Sequence, residues 1–488
     1  MTRNKNFKFI ESYFEYIYLI IGLMFFTYLL IRSILLNITF DEAWTLRDFV
    51  SQSYYNIFTF NPSDANNHIL NTILIKTLFY IFPDTLFVAR IPNLLASLLF
   101  IYFAYKISTT FISKYIGMAC FALLLLNPFV LDYFTQARGY GLAMGFQMGS
   151  IYFLMKYLND AKNKYIIQML SLSFLSVLSV FTMINFYLAQ ICILLLAMLI
   201  DRKKYSFKIG LIYSVTSSLV LAIIIVGPIM KLIENNSLYY GGRVGFYADT
   251  LTSLMQYSLY QHKFTPMVHY ILIAFLITFT IIIGISFFTK FKIISIRNYT
   301  LTLILLCIIA VILQFYLFDT LYVLDRAALY FYPLFVLGLA FSINTFSKHW
   351  SSNLIFLLLI PFLINFARNI NFHKTAINFF EGYTYTILKS INEKGVNNQT
   401  VYKLDFSWPY ESSINYYIKK FHFPNIQIIQ NPYDRKTLNL DFDYYLYLSE
   451  PLPIANYWAH SEKIVYYKDL ITIEKQYPED YVILFKKK

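Results

Sequence analysis

Charge is scarce in this chain: 14% of its 488 residues are Asp, Glu, Lys or Arg, while 58% are hydrophobic. A soluble globular protein carries about 25% charged residues, so that class is excluded. Cysteine is almost missing as well, at 3 residues. Cys120, Cys192 and Cys307 each fall inside a long apolar run. There a thiol packs as a small hydrophobe, which argues against disulfides and against a cysteine-based metal site. The first apolar run is longer than a secretory h-region and has no small-x-small cleavage site before Asp41, so it reads as a retained helix rather than a signal peptide. Internal repeats and low-complexity linkers are lacking, as are the paired Gly/Pro-broken segments of many transporters. Nor does any basic-aromatic motif accompany the net charge of +13, which removes nucleic acid as a partner.

What remains is a series of apolar runs. A bilayer core of roughly 30 Å takes about 20 apolar residues per helix. Residues 13–36, 85–105, 115–131, 141–157, 165–181, 184–200, 209–230, 268–288, 299–317, 326–343 and 353–369 supply eleven such segments. Backbone groups in lipid must be satisfied within the segment, so these runs predict helices and not barrel strands. Arg3, Lys5 and Lys8 set the amino terminus on the cytoplasmic side. Alternation then places four further basic groups inside as well: Lys106 with Lys114, Lys156 to Lys164, Arg202 to Lys208, and Lys290 to Arg297. This threading requires a very short outside turn near Asn185. Without that turn the basic segment 201–208 would lie outside. From residue 371 the composition turns polar, with short β-rich stretches at 400–404, 426–429, 444–448, 464–467 and 481–485 and a helical segment at 410–421. The expected organisation is a transmembrane domain over 1–370 with an outside loop at 37–84, followed by an extracytoplasmic α/β domain over 371–488.

On this threading the polar clusters gather on the non-cytoplasmic side. The first loop opens with Asp41 and Glu42, two adjacent carboxylates at a membrane boundary. Acidic residues cap helix starts, which is one explanation. A partly desolvated carboxylate near an arginine is also a general base, with its neighbour orienting it or binding a metal. Adjacent side chains point in different directions, so the two carboxylates are not expected to share one role. The same loop carries Asn66-Asn67-His68, read either as a turn or helix cap or as substrate hydrogen-bonding groups, and then an apolar segment, 69–82, that suits the interface. Gln136-Ala137-Arg138-Gly139-Tyr140 and Leu324-Asp325-Arg326 each put an arginine at the outer bilayer surface. Snorkelling to lipid headgroups is the plain alternative. A guanidinium's planar fork is nevertheless suited to phosphate. Lys263 with His262, and Arg243 beside Gly241 and Gly242, mark a further, weaker polar loop.

The order of these motifs resembles the GT-C glycosyltransferases, over roughly residues 10 to 345: an outward first helix, Phe-Asp-Glu-Ala-Trp-Thr, Asn-Asn-His, Ala-Arg-Gly-Tyr and a late Asp-Arg-Ala. More narrowly it is similar to the bacterial branch near glycosyltransferase family 39, related to protein O-mannosyltransferases and the lipid A aminoarabinose transferase. The resemblance implies an inverting transfer of a sugar from a polyprenyl-phosphate donor to an extracytoplasmic acceptor, in a bacterial inner membrane. It assigns the base to Asp41 and the phosphate contacts to Arg138 and Arg326. The substrate-binding set expected around them is Asn67, His68, Arg138, Tyr140, Lys263, Asp325 and Arg326. One departure stands out: family members often carry a histidine after a threonine between the fifth and sixth helices, whereas Phe181-Thr182-Met183 has none. Some relatives use a divalent metal and others do not, so the resemblance leaves a metal open. The competing readings are a transporter or flippase for a lipid-linked or anionic solute, whose ionisable residues belong near the midplane, and a non-catalytic scaffold working through the polar tail.

Overall fold

A computed structural model describes residues 2–261, 265–289, 296–344, 349–429, 441–449 and 470–488. The chain forms two units. One comprises Met1–Ile34 with Phe49–Ile370, and the other Leu35–Asp48 with Asn371–Lys488. The acidic start of the first loop, placed by sequence with the transmembrane region, thus belongs to the C-terminal unit.

The first unit is helical. Each of the eleven apolar segments is a helix: Thr2–Leu35, Leu86–Phe111, Lys114–Leu125, Gly139–Asp160, Lys164–Ser179, Ile184–Ile200, Phe207–Glu234, Pro266–Thr289, Ile296–Phe318, Phe331–Asn344 and His349–Asn369. Among the described residues, seven helices are long and apolar enough to cross a membrane. Several are apolar all round yet scarcely covered by protein. Only 22% of the most apolar stretch of Phe207–Glu234 and 17% of that in Pro266–Gly284 is buried. Surface of this kind is stable against lipid and not against water. The helix ending at Asn344 is the opposite case, with 89% buried, and forms the centre of the unit.

Small residues let the central helices approach. Gly141, Gly145 and Gly149 fall four apart on one stripe of Gly139–Asp160. A methyl group there would meet Asn93 Oδ1, the Ala96 carbonyl and the Phe103 ring, each at 2.7 Å, all on Leu86–Phe111. Close glycine-mediated packing of this sort replaces the hydrophobic driving force that lipid removes.

The first helix begins at Thr2 and the second runs on to Phe111, beyond the expected 13 and 105, and two other segments are cut short. The segment 115–131 ends at Leu125, because Pro128 has no N–H and disfavours helix at the residue before it. Asn127 instead caps a short helix, Pro128–Asp132, accepting from the N–H groups of Phe129 at 3.0 Å and Val130 at 3.4 Å. The segment 326–343 begins as a 3₁₀ turn, Asp325–Ala328, and becomes α-helix only at Phe331. The turn near Asn185 is present. Val180 is extended, Phe181–Met183 is a 3₁₀ turn, and a new helix starts at Ile184.

The C-terminal unit holds a five-stranded mixed sheet of β1 (Tyr402–Phe406), β2 (Ile426–Ile428), β3 (Tyr444–Leu448), β4 (Ile471–Tyr477) and β5 (Val482–Lys487), in the order β2-β1-β3-β5-β4. β1 pairs in parallel with β2 and β3, and β5 runs antiparallel to β3 and β4. Helix Glu411–Phe421 connects β1 to β2, as a parallel pairing requires. The stretch 464–467 lies outside the described residues. Strand β4 and helix Thr384–Asn398 were not anticipated: β4 is exposed along most of its length and the helix is mostly polar, so neither carries a strong apolar signal.

Candidate active site

In the helical unit, a network of uncharged groups fixes the turn that carries Arg138. Asn71 Nδ2 donates to the Ala137 carbonyl at 3.0 Å. Asn93 Nδ2 donates to Asn71 Oδ1 at 2.8 Å, and Asn93 Oδ1 accepts from the Leu142 N–H at 3.0 Å. Both asparagine side chains are buried, where such bonds have no water to compete with. Arg138 itself is 2% exposed, and its Nη1 donates to both the side-chain and the main-chain oxygen of Asn66.

Asn66, not Asn67, is therefore the residue of that pair that reaches the arginine. Asn67 was expected to bind substrate, but its amide is occupied internally. Nδ2 donates to the Ile57 carbonyl at 3.0 Å and Oδ1 accepts from Thr72 Oγ1 at 3.1 Å. His68 sits at the N-cap of Ile69–Ile81, yet its side chain makes no capping bond. Its ring packs edge-on against Tyr140, with centroids 5.1 Å apart, and Tyr140 packs in turn on Tyr133 at 4.9 Å. Arg138 lies 5.9 Å from the Tyr140 ring centre, within cation–π range.

Burial first, then the charges of Arg138 and Arg326, hold the His68 imidazole well below its usual pKa, against a hydrogen bond to the Ser179 backbone that raises it. His68 is thus neutral at physiological pH, and its buried Nε2 has no hydrogen-bond partner among the described residues. Asp325 is aimed inward. It is 2% exposed, adopts a left-handed φ of 36°, and its carboxylate accepts from the Tyr240 hydroxyl and the Arg326 N–H. Strained corners of this kind persist where the surroundings hold them and cluster at working sites. Arg326 in turn stands 5.0 Å from the Tyr240 ring centre. Asp325 thus meets Arg326 through the main chain. Lys263 lies outside the described residues. Arg243 pairs with Asp319 at 3.6 Å in an exposed position, an arrangement worth little.

Gly139 has a packing reason of its own. A methyl group there would collide with the Ser179 carbonyl oxygen and reach the His68 Cβ at 3.0 Å. Gly139→Ala is expected to lower stability by about 1–3 kcal/mol, the usual cost of overpacking, read as a fall in the thermal unfolding midpoint of the purified protein. An unchanged midpoint would show that this contact is slack.

In the C-terminal unit, Asp41 and Glu42 lie on a five-residue helix, Phe40–Trp44. Thr39 caps it. Its hydroxyl accepts from the Glu42 N–H at 3.4 Å, and Glu42 Oε2 accepts from the Thr39 N–H at 3.1 Å, which closes a capping box. Glu42 is fully buried and Asp41 is 8% exposed. The carboxylate of Glu42 thus closes the turn that carries Asp41. Sequence reasoning also missed Glu381, which is buried in the same unit. Burial pushes its pKa up to about 8, against hydrogen bonds from Ser413 and Thr384, and the charge of Glu42 adds to the rise. Among the described residues, no group of three or more His, Cys, Asp and Glu side chains is arranged to hold a metal ion.

No protein-family model and no curated protein matches the chain. Among solved structures it is similar to ArnT from Cupriavidus metallidurans bound to undecaprenyl phosphate, at 10% identity and a TM-score of 0.45, over 96% of this chain and 97% of that one.

Proposed function

We propose that the protein is a membrane glycosyltransferase that moves a sugar from a polyprenyl-phosphate donor to an extracytoplasmic acceptor. The observation that carries this reading is the buried guanidinium of Arg138, 2% exposed and 5.9 Å from the Tyr140 ring centre, with His68 packed edge-on against the same ring. A guanidinium near an imidazole that burial first, and then the charges of Arg138 and Arg326, hold neutral forms a field suited to an anion, and the planar fork of arginine suits phosphate. The exposed apolar helices suit lipid, the phase in which a prenyl chain dissolves.

In this reading Asp41 removes a proton from the acceptor hydroxyl or amine. The freed lone pair attacks the anomeric carbon, the bond from that carbon to the phosphate oxygen breaks, and the phosphate leaves with the bonding electrons. Arg138 and Arg326 stabilise the charge that grows on it, and neutral His68 offers Nε2 to a donor hydroxyl. The amino terminus is cytoplasmic and the C-terminal unit extracytoplasmic, following the distribution of basic loops.

The test is donor consumption by purified protein with a panel of polyprenyl-phosphate sugars, paired with donor binding by Arg138→Ala. Loss of the guanidinium should weaken donor binding by roughly ten- to a hundredfold, the worth of a hydrogen bond to a charged group, and Arg138→Lys should recover only part of it. Unchanged donor affinity would remove the phosphate from this site. Failure of wild type to consume any donor would remove the activity.

A further inference from the structure

The C-terminal unit draws on two distant stretches of the chain. It includes fourteen residues, Leu35–Asp48, from the end of the first helix and the start of the first loop. The attachment is specific. Asn37 Nδ2 donates to the Gly382 carbonyl at 2.6 Å. The Tyr417 hydroxyl accepts from the Ile38 N–H at 3.0 Å and donates to Asn37 Oδ1 at 3.2 Å. Phe40 packs edge-on against Trp408 at 5.2 Å. Tyr417 is itself held, 4% exposed and 5.4 Å from the Tyr385 ring.

Behind these contacts lie two buried carboxyl groups. Glu42 closes the capping box, and Glu381 immediately precedes Gly382, whose carbonyl accepts from Asn37. Glu381 Oε2 accepts from Thr384 Oγ1 at 2.9 Å, and Oε1 is buried with no hydrogen-bond partner among the described residues. Burial pushes the pKa of the Glu381 carboxyl up to about 8, so it is mostly protonated at neutral pH.

We infer that the C-terminal unit positions the acidic segment of the first loop, with Tyr417 and Glu381 as the positioning residues that act on Asp41 through Asn37, Ile38 and Glu42. The inference rests on the reading of Asp41 as the base. The unit thereby serves the reaction, since Phe40–Trp44 is too short to be stable alone and Tyr417 and Glu381 restrict where its carboxylate sits. Neither residue touches substrate.

Two positions in the full-length protein test it. Tyr417→Phe removes the acceptor of the Ile38 N–H and keeps the ring. Hydrogen–deuterium exchange of peptides covering 35–48 should quicken by roughly fivefold, the effect of one hydrogen bond, while peptides from Leu86–Phe111 stay unchanged. The kcat for transfer should fall by about tenfold or more, since small misplacement of a catalytic group is costly, with the donor KM within about twofold of wild type. Glu381→Gln, which mimics the protonated acid, should keep wild-type exchange and kcat, whereas Glu381→Ala should lose both. Unchanged exchange in Tyr417→Phe, or quickened exchange with kcat intact, would overturn the inference. If wild type transfers no sugar at all, the proposed activity fails and the exchange result alone decides whether the clamp exists.

Discussion

Asp41→Asn is expected to reduce transfer by about 10²–10⁴-fold, the contribution of a positioned general base, while donor binding stays within about twofold of wild type. The substitution is nearly isosteric, so the short helix Phe40–Trp44 and its Thr39 cap can form as before. Loss of a negative charge from a first helical turn costs only about 0.3–1 kcal/mol, so the unfolding midpoint should move little. That separation between activity and stability is the informative part. Glu42→Gln makes the contrast. Its carboxylate accepts from Thr39 and is fully buried, so its replacement should act on stability and on the order of residues 35–48 and leave a base in place. Turnover by Asp41→Asn near the wild-type rate would transfer the proton to another group. The measurement is single-turnover donor consumption by both variants beside a thermal unfolding scan.

Asp132→Asn should lower stability by about 3–5 kcal/mol, the cost of leaving a buried charge without its partner. Asp132 Oδ1 lies 2.6 Å from an Arg32 guanidinium nitrogen, with the two side chains 2% and 1% exposed. Three further bonds complete the arrangement. Arg32 donates to Thr135 Oγ1 at 2.9 Å and to the Tyr260 hydroxyl at 3.3 Å, and that hydroxyl donates to Asp132 at 2.8 Å. All four side chains are buried, so water does not readily replace a lost partner. The effect of Asp132→Asn therefore exceeds that of Tyr260→Phe, which removes one neutral group whose bond is worth about 1 kcal/mol. Removing both charges together, as Arg32→Met with Asp132→Leu, should restore most of the loss, because paired apolar replacements avoid the desolvation cost altogether. The check is the unfolding midpoint of the three variants in detergent. An Asp132→Asn midpoint equal to wild type would mean that Arg32 finds another counter-charge.

Composition and hydropathy were enough for the class and the helices, because crossing a bilayer is a local requirement. Each segment must be long, apolar and internally hydrogen-bonded whatever its neighbours are, and the eleven runs are helical apart from the break at Asn127 and the late start at Phe331, with the first two helices extending past their runs to Thr2 and Phe111. Arg138, His68 and Arg326 were legible for a related reason: polar residues at the ends of apolar runs are few and conspicuous. Their relations were not legible. That Asn66 holds Arg138 while Asn67 turns inward depends on which amide faces which helix. The partnership of Arg32 with Asp132, far along the chain, left a trace only as two charges inside or beside apolar runs. The membership of Leu35–Asp48 in a fold whose other residues begin at Asn371 left no sequence trace at all. The sequence by itself determined the solvent of this protein and the places where its chain turns, since each of those is settled by neighbours in the chain. Only the tertiary structure decided which buried polar groups meet, because a hydrogen bond or an ion pair is satisfied by whatever group the packing brings within about 3 Å, however far off in the chain it lies.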